Sequence, residues 1–514
     1  MDRTRNISHC LNQGDRQMTA SEIQITKGII YSQLIAPPDI CDLVADFLAF
    51  RVKGADYIRS VQNMMWDGYI HLFEHRYAKF PAGLTNKVVE MLRGHGYRIT
   101  IRQQSKKLGT SISDALYGIT LYTHQKAVAD KGIQAGGAIL KAATGSGKTE
   151  IAAEIIRRIG LPTLWVVNRV SLLSQTAERL QKRLGIPIGI VGGGKEQVRL
   201  VSVGTVQTLI NLPSDWFDQW DVLILDECHH ASSQTWYSIA RRCKQAIWRY
   251  GLSATPLTKD QLNDARLEGM TGPLIEEVTV DGKAFPLTVE HLANKGFLAL
   301  PTIRILRPVA SSYPAYEDVR EEVCPTWREN PRQLLKLGGK LYAYTYKHGI
   351  MNNIVRSNLF VQTMIKHCQA GEKALMLCSR LDHGKALLAN FRHHCTYPSW
   401  WLSGPDPDDY RSSVLNQLKR TKGGAALIAS EIFREGIDLP EIDVLFLAGA
   451  GEAEIATLQH VGRALRKRPD KDRVLIYDSL DGRGPLQKKD YLYRHSQSRI
   501  ATYRKEHWEI EESF

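Results

Sequence analysis

Three strings in this chain carry residue types and spacings suited to phosphate chemistry. The first is Ala142-Ala143-Thr144-Gly145-Ser146-Gly147-Lys148-Thr149. Its small residues would let the backbone wrap an oligophosphate with its N–H groups pointing inward. It follows an apolar run and opens a helical pattern from Glu150 to Ile159, the context a phosphate-binding loop requires. Lys148 would neutralise β- and γ-phosphates, and Thr149 would ligate Mg²⁺. Ala142 stands where the strict GxxxxGK[ST] string has glycine, so that string is missed by one residue. The second string, Leu225-Asp226-Glu227-Cys228-His229, ends an apolar run. In a parallel sheet the carboxyl ends of strands face the ligand, so Asp226 there can hold Mg²⁺ and Glu227 can polarise an attacking water. The third lies far downstream, where Arg463 and Arg466 are three apart and share a helical face. Two guanidinium groups on one face suit a γ-phosphate whose charge spreads in the transition state.

Such groups need rigid sheets behind them. Strand-like apolar runs alternate with helical patterns from about residue 120 to 285, as in Ala138 to Leu140, Leu164 to Val167 and Val222 to Leu225. The alternation returns from about 335 to 480, in Ala374 to Leu377, Ala426 to Ile428, Val444 to Leu447 and Val474 to Tyr477. Continuous apolar strands flanked by amphipathic helices mean parallel sheets covered on both faces. The fold class expected is α/β: two parallel-sheet lobes, at 111–285 and 336–480, joined by a connector at 286–335. Residues 23–110 read as a small α+β domain. It has helices at Ile40 to Phe50 and Asn86 to His95, a hairpin-like stretch at 65–73 and a strand from Tyr97.

Bulk composition agrees with that division. A chain of 514 residues suggests about three domains at ~150 residues each. With 43% apolar residues it can bury sizeable cores, which excludes a disordered or disulfide-framework chain. No apolar run is long enough to span a bilayer. The eight cysteines are scattered and never spaced CxxC, so neither a zinc knuckle nor a redox dithiol is indicated. The polar start, residues 1–22, is expected to be disordered, with no secretory core and with Met18 as an alternative translation start. The net charge of +13 points to a polyanionic partner.

Taken in order, these strings resemble the superfamily 2 helicases and translocases, which have two RecA-like lobes and bind ATP with Mg²⁺ between them. The resemblance covers about residues 115 to 480 and extends to further motifs. Tyr122 and Gln125 resemble the glutamine motif that reads adenine. Asn168-Arg169-Val170-Ser171 and Gly204-Thr205-Val206-Gln207 resemble motifs Ia and Ib, which touch the nucleic-acid backbone. Ser253-Ala254-Thr255-Pro256 follows in the expected place. Cys378-Ser379-Arg380 sits at motif IV. Ser430-Glu431 with Glu435-Gly436-Ile437-Asp438 resembles motif V, and Gln459-His460-Val461-Gly462-Arg463-Ala464-Leu465-Arg466 resembles motif VI. His460 departs from the arginine of many relatives. The resemblance thus implies catalytic roles for Lys148, Asp226, Glu227, Gln459, Arg463 and Arg466. It implies nucleotide contacts from Gln125, from 142–149 and from Asp438. Arg169, Thr205, Gln207, Arg380 and Ser430 would contact nucleic acid.

The N-terminal domain, with Trp66-Asp67-Gly68, Phe80-Pro81-Ala82-Gly83-Leu84 and Gly96-Tyr97, is similar to that of phage UvsW-type recombination helicases. This implies a motor on branched or forked DNA, single strands and RNA–DNA hybrids, working as a monomer in host-cell cytoplasm. RNA helicase and restriction-motor readings stand beside it. Trp66 with Arg59 and Arg76 could stack on bases, or Trp66 could be core. The domain carries 12 Lys/Arg against seven Asp/Glu. The stretch from Arg463 to Lys505 carries 13 against five, including a basic helical tail at 481–514 that either binds nucleic acid or packs on the second lobe.

Overall fold

The computed structural model describes residues 22–512 apart from 53, 58, 143–144, 231–233, 255, 258–259, 327–336, 431–440, 452–472, 486, 488–489 and 506. The expectations for the N-terminal 21 residues, Ala143, Thr144, Asp438, Gln459, Arg463 and Arg466 therefore lie outside the described residues.

The N-terminal part builds a four-stranded sheet in the spatial order Lys79–Pro81, Tyr31–Ile35, Glu22–Lys27, Arg98–Gln103. Helices Pro38–Phe47 and Thr85–Gly94 cover it. Pro38 sits in the first turn of its helix, where a missing N–H costs nothing. The stretch at 65–73 does not fold back on itself as a hairpin. Tyr69–His71 pairs antiparallel with Ala49–Arg51 instead, across the short helix Arg59–Gln62. This unit does not close its core alone. Ile40, Val44, Leu84 and Val88 pack with Leu262 and Ala265 of helix Gln261–Thr271. At Gly83 a Cβ would lie 1.8 Å from the Glu268 carbonyl oxygen, so only glycine permits this approach.

The first large sheet has eight strands in the order Lys195–Gln197, Gly189–Gly192, Val201–Thr205, Thr163–Val167, Val222–Asp226, Trp248–Ser253, Gly137–Lys141, Leu274–Ile275. Its pairings are parallel except at the Lys195–Gln197 edge. Each central strand is apolar on both faces, because helices cover both. Trp165, Val167 and Ile224 enter one core layer, while Leu164, Val166, Leu223 and Leu225 enter the other. A hairpin, Glu277–Val280 with Lys283–Pro286, turns at Asp281 and Gly282, both at positive φ as a two-residue primed turn requires.

The second large sheet is wholly parallel, with seven strands in the order Ser399–Leu402, Ala425–Ser430, Lys373–Cys378, Val444–Leu447, Arg473–Ser479, Leu300–Leu306, Glu509–Glu512. Two boundaries expected from sequence shift here. Leu300–Leu306, inside the expected connector, is an interior strand of this sheet. Glu509–Glu512, inside the expected helical tail, is its edge. The tail helix Tyr491–Lys505 packs on the lobe, with Ile500 and Tyr503 buried in its core. Among the described residues no helix is long and apolar enough to cross a membrane.

Candidate active site

Strand order brings three carboxyl ends together. The strand ending at Ser253 lies between the one leading into the phosphate loop and the one ending at Asp226. Leu252 is opposite both Leu140 and Asp226, and Ser253 is opposite Lys141, so the three strands finish level. The Ala142 N–H donates to the Ser253 carbonyl at 3.0 Å, which fixes the start of the loop. Gly145 and Gly147 have φ +87° and +89°, a region that L side chains avoid. The helix Lys148–Ile159 then starts with Lys148 and Thr149 in its first turn. Its dipole and its unpaired N–H groups favour an anion at that end.

Gln125 braces this loop from outside. Its Nε2 donates to the Ser146 carbonyl at 2.8 Å, and its Oε1 accepts the Tyr122 N–H at 2.9 Å. A Cβ on Gly147 would lie 2.5 Å from that Nε2. Gln125 is thus a buried clamp on the phosphate loop.

The charged groups meet in front of the loop. Lys148 Nζ donates to Glu227 Oε1 at 3.0 Å. Glu227 itself has φ +48°, a left-handed conformation that costs a non-glycine residue ~1–3 kcal/mol and recurs at functional sites. Its other oxygen lies 3.4 Å from His229 Nδ1, which is 3.1 Å from Ser253 Oγ. Asp226 accepts the Glu227 N–H at 3.0 Å and faces the Trp165 indole N–H at 3.3 Å. Burial, reinforced by the Glu227 charge, pushes the Asp226 carboxyl up to about 6. Burial acts the same way on Glu227, but the Lys148 ammonium and then His229 outweigh it and hold Glu227 well below the usual range. The surroundings thus push the two adjacent carboxyls in opposite directions, and both present oxygens at the ends of the level strands. The donor set fits a magnesium nucleoside triphosphate: a glycine-lined loop, one ammonium, the Thr149 hydroxyl and the Asp226 carboxyl.

Comparison with known proteins agrees. The family described as type III restriction enzyme, res subunit, matches residues 118–258, and the helicase conserved C-terminal domain matches 356–468. The ATP-dependent DNA helicase uvsW of Enterobacteria phage T4 is 25% identical over 503 residues, 89% of this chain and 92% of that protein. The DNA 3'-5' translocase XPB2 of Sulfurisphaera tokodaii is 25% identical over 346 residues, 65% of this chain and 75% of that one. The chain is a superfamily 2 helicase. In fold, the DNA-bound type ISP restriction-modification enzyme LlaBIII aligns with 76% of the helicase at TM-score 0.52 and 15% identity, over 30% of its own length.

The helicase is ATP-dependent, and its remaining sequence-predicted residues are placed unevenly. Arg169 is exposed at the N-cap of helix Val170–Leu184, and Arg380 is exposed at the N-cap of Leu381–His394. Gln207 Nε2 donates to the Asn168 carbonyl at 2.8 Å, which brings two of the strings together. Two of the expected nucleic-acid-contact residues are largely buried. Thr205 is 1% exposed and donates to Thr208 Oγ1, so its hydroxyl faces the interior. Ser430 is 6% exposed at the end of a central strand. In the N-terminal unit Trp66 is half-buried, its indole N–H tied to the Tyr69 carbonyl at 2.8 Å. Arg76 is exposed over the Tyr77 ring, and Arg59 opens the helix Arg59–Gln62.

Sequence reasoning missed two features. Met64 and Met65 are 94% and 82% exposed on the loop beside Trp66. Adjacent methionines in a turn were the available signal. In the second lobe Arg356 and Arg499 are buried rather than offered to a ligand. Arg356 bonds Asp481 at 2.7 Å and the Ala448 carbonyl at 3.0 Å; Arg499 bonds Asp478 at 2.8 Å and the Gly451 carbonyl at 3.0 Å. Arg499 belongs to the expected basic tail, so part of that charge is structural.

Proposed function

We propose that this helicase is an ATP-driven DNA motor acting on branched or forked duplexes, including junctions and R-loops, in phage recombination, replication or repair. The Lys148–Glu227 pair at the level ends of three strands is the observation that carries the motor. Lys148 holds the β- and γ-phosphates. Thr149 and Asp226 would hold Mg²⁺, which when bound neutralises phosphate charge. Glu227 orients and deprotonates the attacking water. Arg463 and Arg466, with Gln459, contact the γ-phosphate from the other lobe, and Asp438 contacts the nucleotide.

Arg169, Gln207 and Arg380 grip the sugar-phosphate backbone, so recognition follows structure and not base sequence. DNA as the substrate is supported by the names of the T4 and Sulfurisphaera relatives, the first of which aligns over 89% of this chain. The N-terminal unit, through Met64, Met65, Trp66 and Arg76, reads the junction. We read the helicase as a monomer in the host-cell cytoplasm, the phage origin of the T4 relative supporting the location.

The test is ATPase stimulation and strand separation over a panel of four-way junction, fork, R-loop, linear duplex and RNA duplex. Preference for the branched DNAs is expected. Stimulation by RNA duplex above every DNA would replace this reading with an RNA helicase. The slope of log affinity against log salt should be about −0.9 per phosphate neutralised on duplex DNA.

A further inference from the structure

We infer that Phe297 is a positioning residue that couples the phosphate loop to the point where the chain crosses from the first lobe to the second. The inference rests on the motor reading above. The crossing is sharp: Leu298 is buried in the first lobe's core and Ala299 in the second's. The strand Leu300–Leu306 follows at once. Phe297 stands immediately before this crossing, and it is not free to swing. Helix Val289–Asn294 ends with Gly296 at φ +76°. The Gly296 N–H bonds the Ala293 carbonyl at 2.8 Å and the Phe297 N–H bonds the Leu292 carbonyl at 2.9 Å. This paired closure of a helix end fixes the residue that follows the glycine.

The Phe297 ring meets Tyr122 at 4.6 Å and His124 at 4.5 Å between centroids, tilted 55° and 57°. His124 lies flat between Tyr122, at 5.8 Å and 12°, and Phe285, at 5.1 Å and 6°. It is 2% exposed and neither ring nitrogen has a hydrogen-bond partner, so it serves as an aromatic plate. Burial, helped by His291, pushes its imidazole down to about 4, which keeps the plate uncharged. Tyr122 and Gln125 bracket His124 in the chain. The Tyr122 N–H is bonded to Gln125, whose amide holds the Ser146 carbonyl of the phosphate loop. Three contacts therefore join the loop to the lobe crossing: Ser146 to Gln125, Gln125 to Tyr122, and Tyr122 with His124 to Phe297. A shift of the loop on ATP binding or hydrolysis moves the tyrosine and histidine plates, and the fixed phenylalanine transmits this to the first strand of the second lobe.

A ring-to-ring role differs from simple filling, and two substitutions separate them. Phe297→Leu keeps the apolar volume and removes the ring faces, whereas Phe297→Tyr keeps the ring. For Phe297→Leu the full-length protein should melt within about 2 °C of wild type. Its basal ATP turnover and KM for ATP should be unchanged, while stimulation by forked DNA should fall about tenfold. Phe297→Tyr should restore stimulation to wild type. Full stimulation in Phe297→Leu would overturn the inference, as would an equal fall of basal and stimulated rates. Wild-type protein that no nucleic acid stimulates would instead overturn the motor reading, and this inference with it.

Discussion

Gly147→Ala tests the clamp between Gln125 and the phosphate loop. At φ +89° an alanine suffers ~1–2 kcal/mol of left-handed strain. Its Cβ would also stand 2.5 Å from Gln125 Nε2, so the amide must leave. Leaving breaks the bonds to Ser146 and Tyr122, at ~1 kcal/mol each. The loop relaxes to another shape, and ATP binding must then restore the competent one. The total of roughly 3–4 kcal/mol predicts affinity for ATP weaker by about 100-fold or more. Equilibrium titration with a fluorescent ATP analogue measures it. The same reasoning fixes a double substitution. Gln125→Ala loses the two bonds but not the backbone strain, so ~2 kcal/mol. Gly147→Ala with Gln125→Ala should then bind ATP about as weakly as Gly147→Ala alone, because the bonds are lost only once. Simple additivity of the two losses would refute the clamp, as would Gly147→Ala binding ATP within a few-fold of wild type.

Glu227→Gln should still bind ATP, since its amide oxygen can accept from Lys148, but turnover should fall by about 10²–10⁴; single-turnover rates near wild type would remove Glu227 from the role of base. Arg356→Met takes from the buried Asp481 its nearest guanidinium, leaving Arg499 at 3.6 Å and the hydroxyls of Tyr313 and Ser479 around it. A cost of ~3–5 kcal/mol and melting lower by about 10 °C are expected by calorimetry, and an unchanged melt would contradict this. Lys106, whose ammonium reaches the Gly136 and Ile247 carbonyls, is pushed down to about 7 by burial and then by Lys27 and Arg249. Between pH ~7 and ~10 the folded chain therefore binds fewer protons here than the unfolded chain, so its term makes stability rise with pH. Urea titrations of Lys106→Met should show a shallower rise than wild type across that window, and equal slopes would refute the assignment.

The sheets were legible where burial alone dictates sequence. Runs such as Val222 to Leu225 are apolar on both faces because helices cover both. Leu300–Leu306 was hidden in a polar region, and what makes it a strand is a partner far along the chain, Arg473–Ser479. Glu509–Glu512 has poor intrinsic strand propensity. It is held at the edge by cross-strand pairs that need the fold first: Arg304 with Glu511 at 2.6 Å and Thr302 with Glu509 at 3.0 Å. The site divides the same way. Lys148, Asp226 and Glu227 announce themselves by type and spacing. The links from Gln125 to Ser146 and from His229 to Ser253 depend on which strands are neighbours, and a linear sequence does not state that. The Thr205 hydroxyl likewise bonds Thr208 in the turn that follows its strand, a contact that the string alone does not state.

The N-terminal unit bears on how reading and movement are combined. Leu262 and Ala265, which close its core, belong to the helix that follows Ser253 in the first lobe. Lys87 pairs with Glu268 of the same helix, and Gly83 lies against that helix's backbone. A unit attached through shared core residues, a buried carboxylate and a glycine contact moves with its lobe and does not swing on a tether. On the proposed function, its reading surface would be stationary relative to Lys148, and stepping would come from the second lobe drawing DNA past it. Removing the unit would expose Leu262 and Ala265 and leave Glu268, 6% exposed, without its lysine. A truncated protein would report on the folding of the first lobe. Only substitutions confined to Met64, Met65 and Arg76, which lie outside that seam, can separate recognition of a junction from the stability of the motor that works on it.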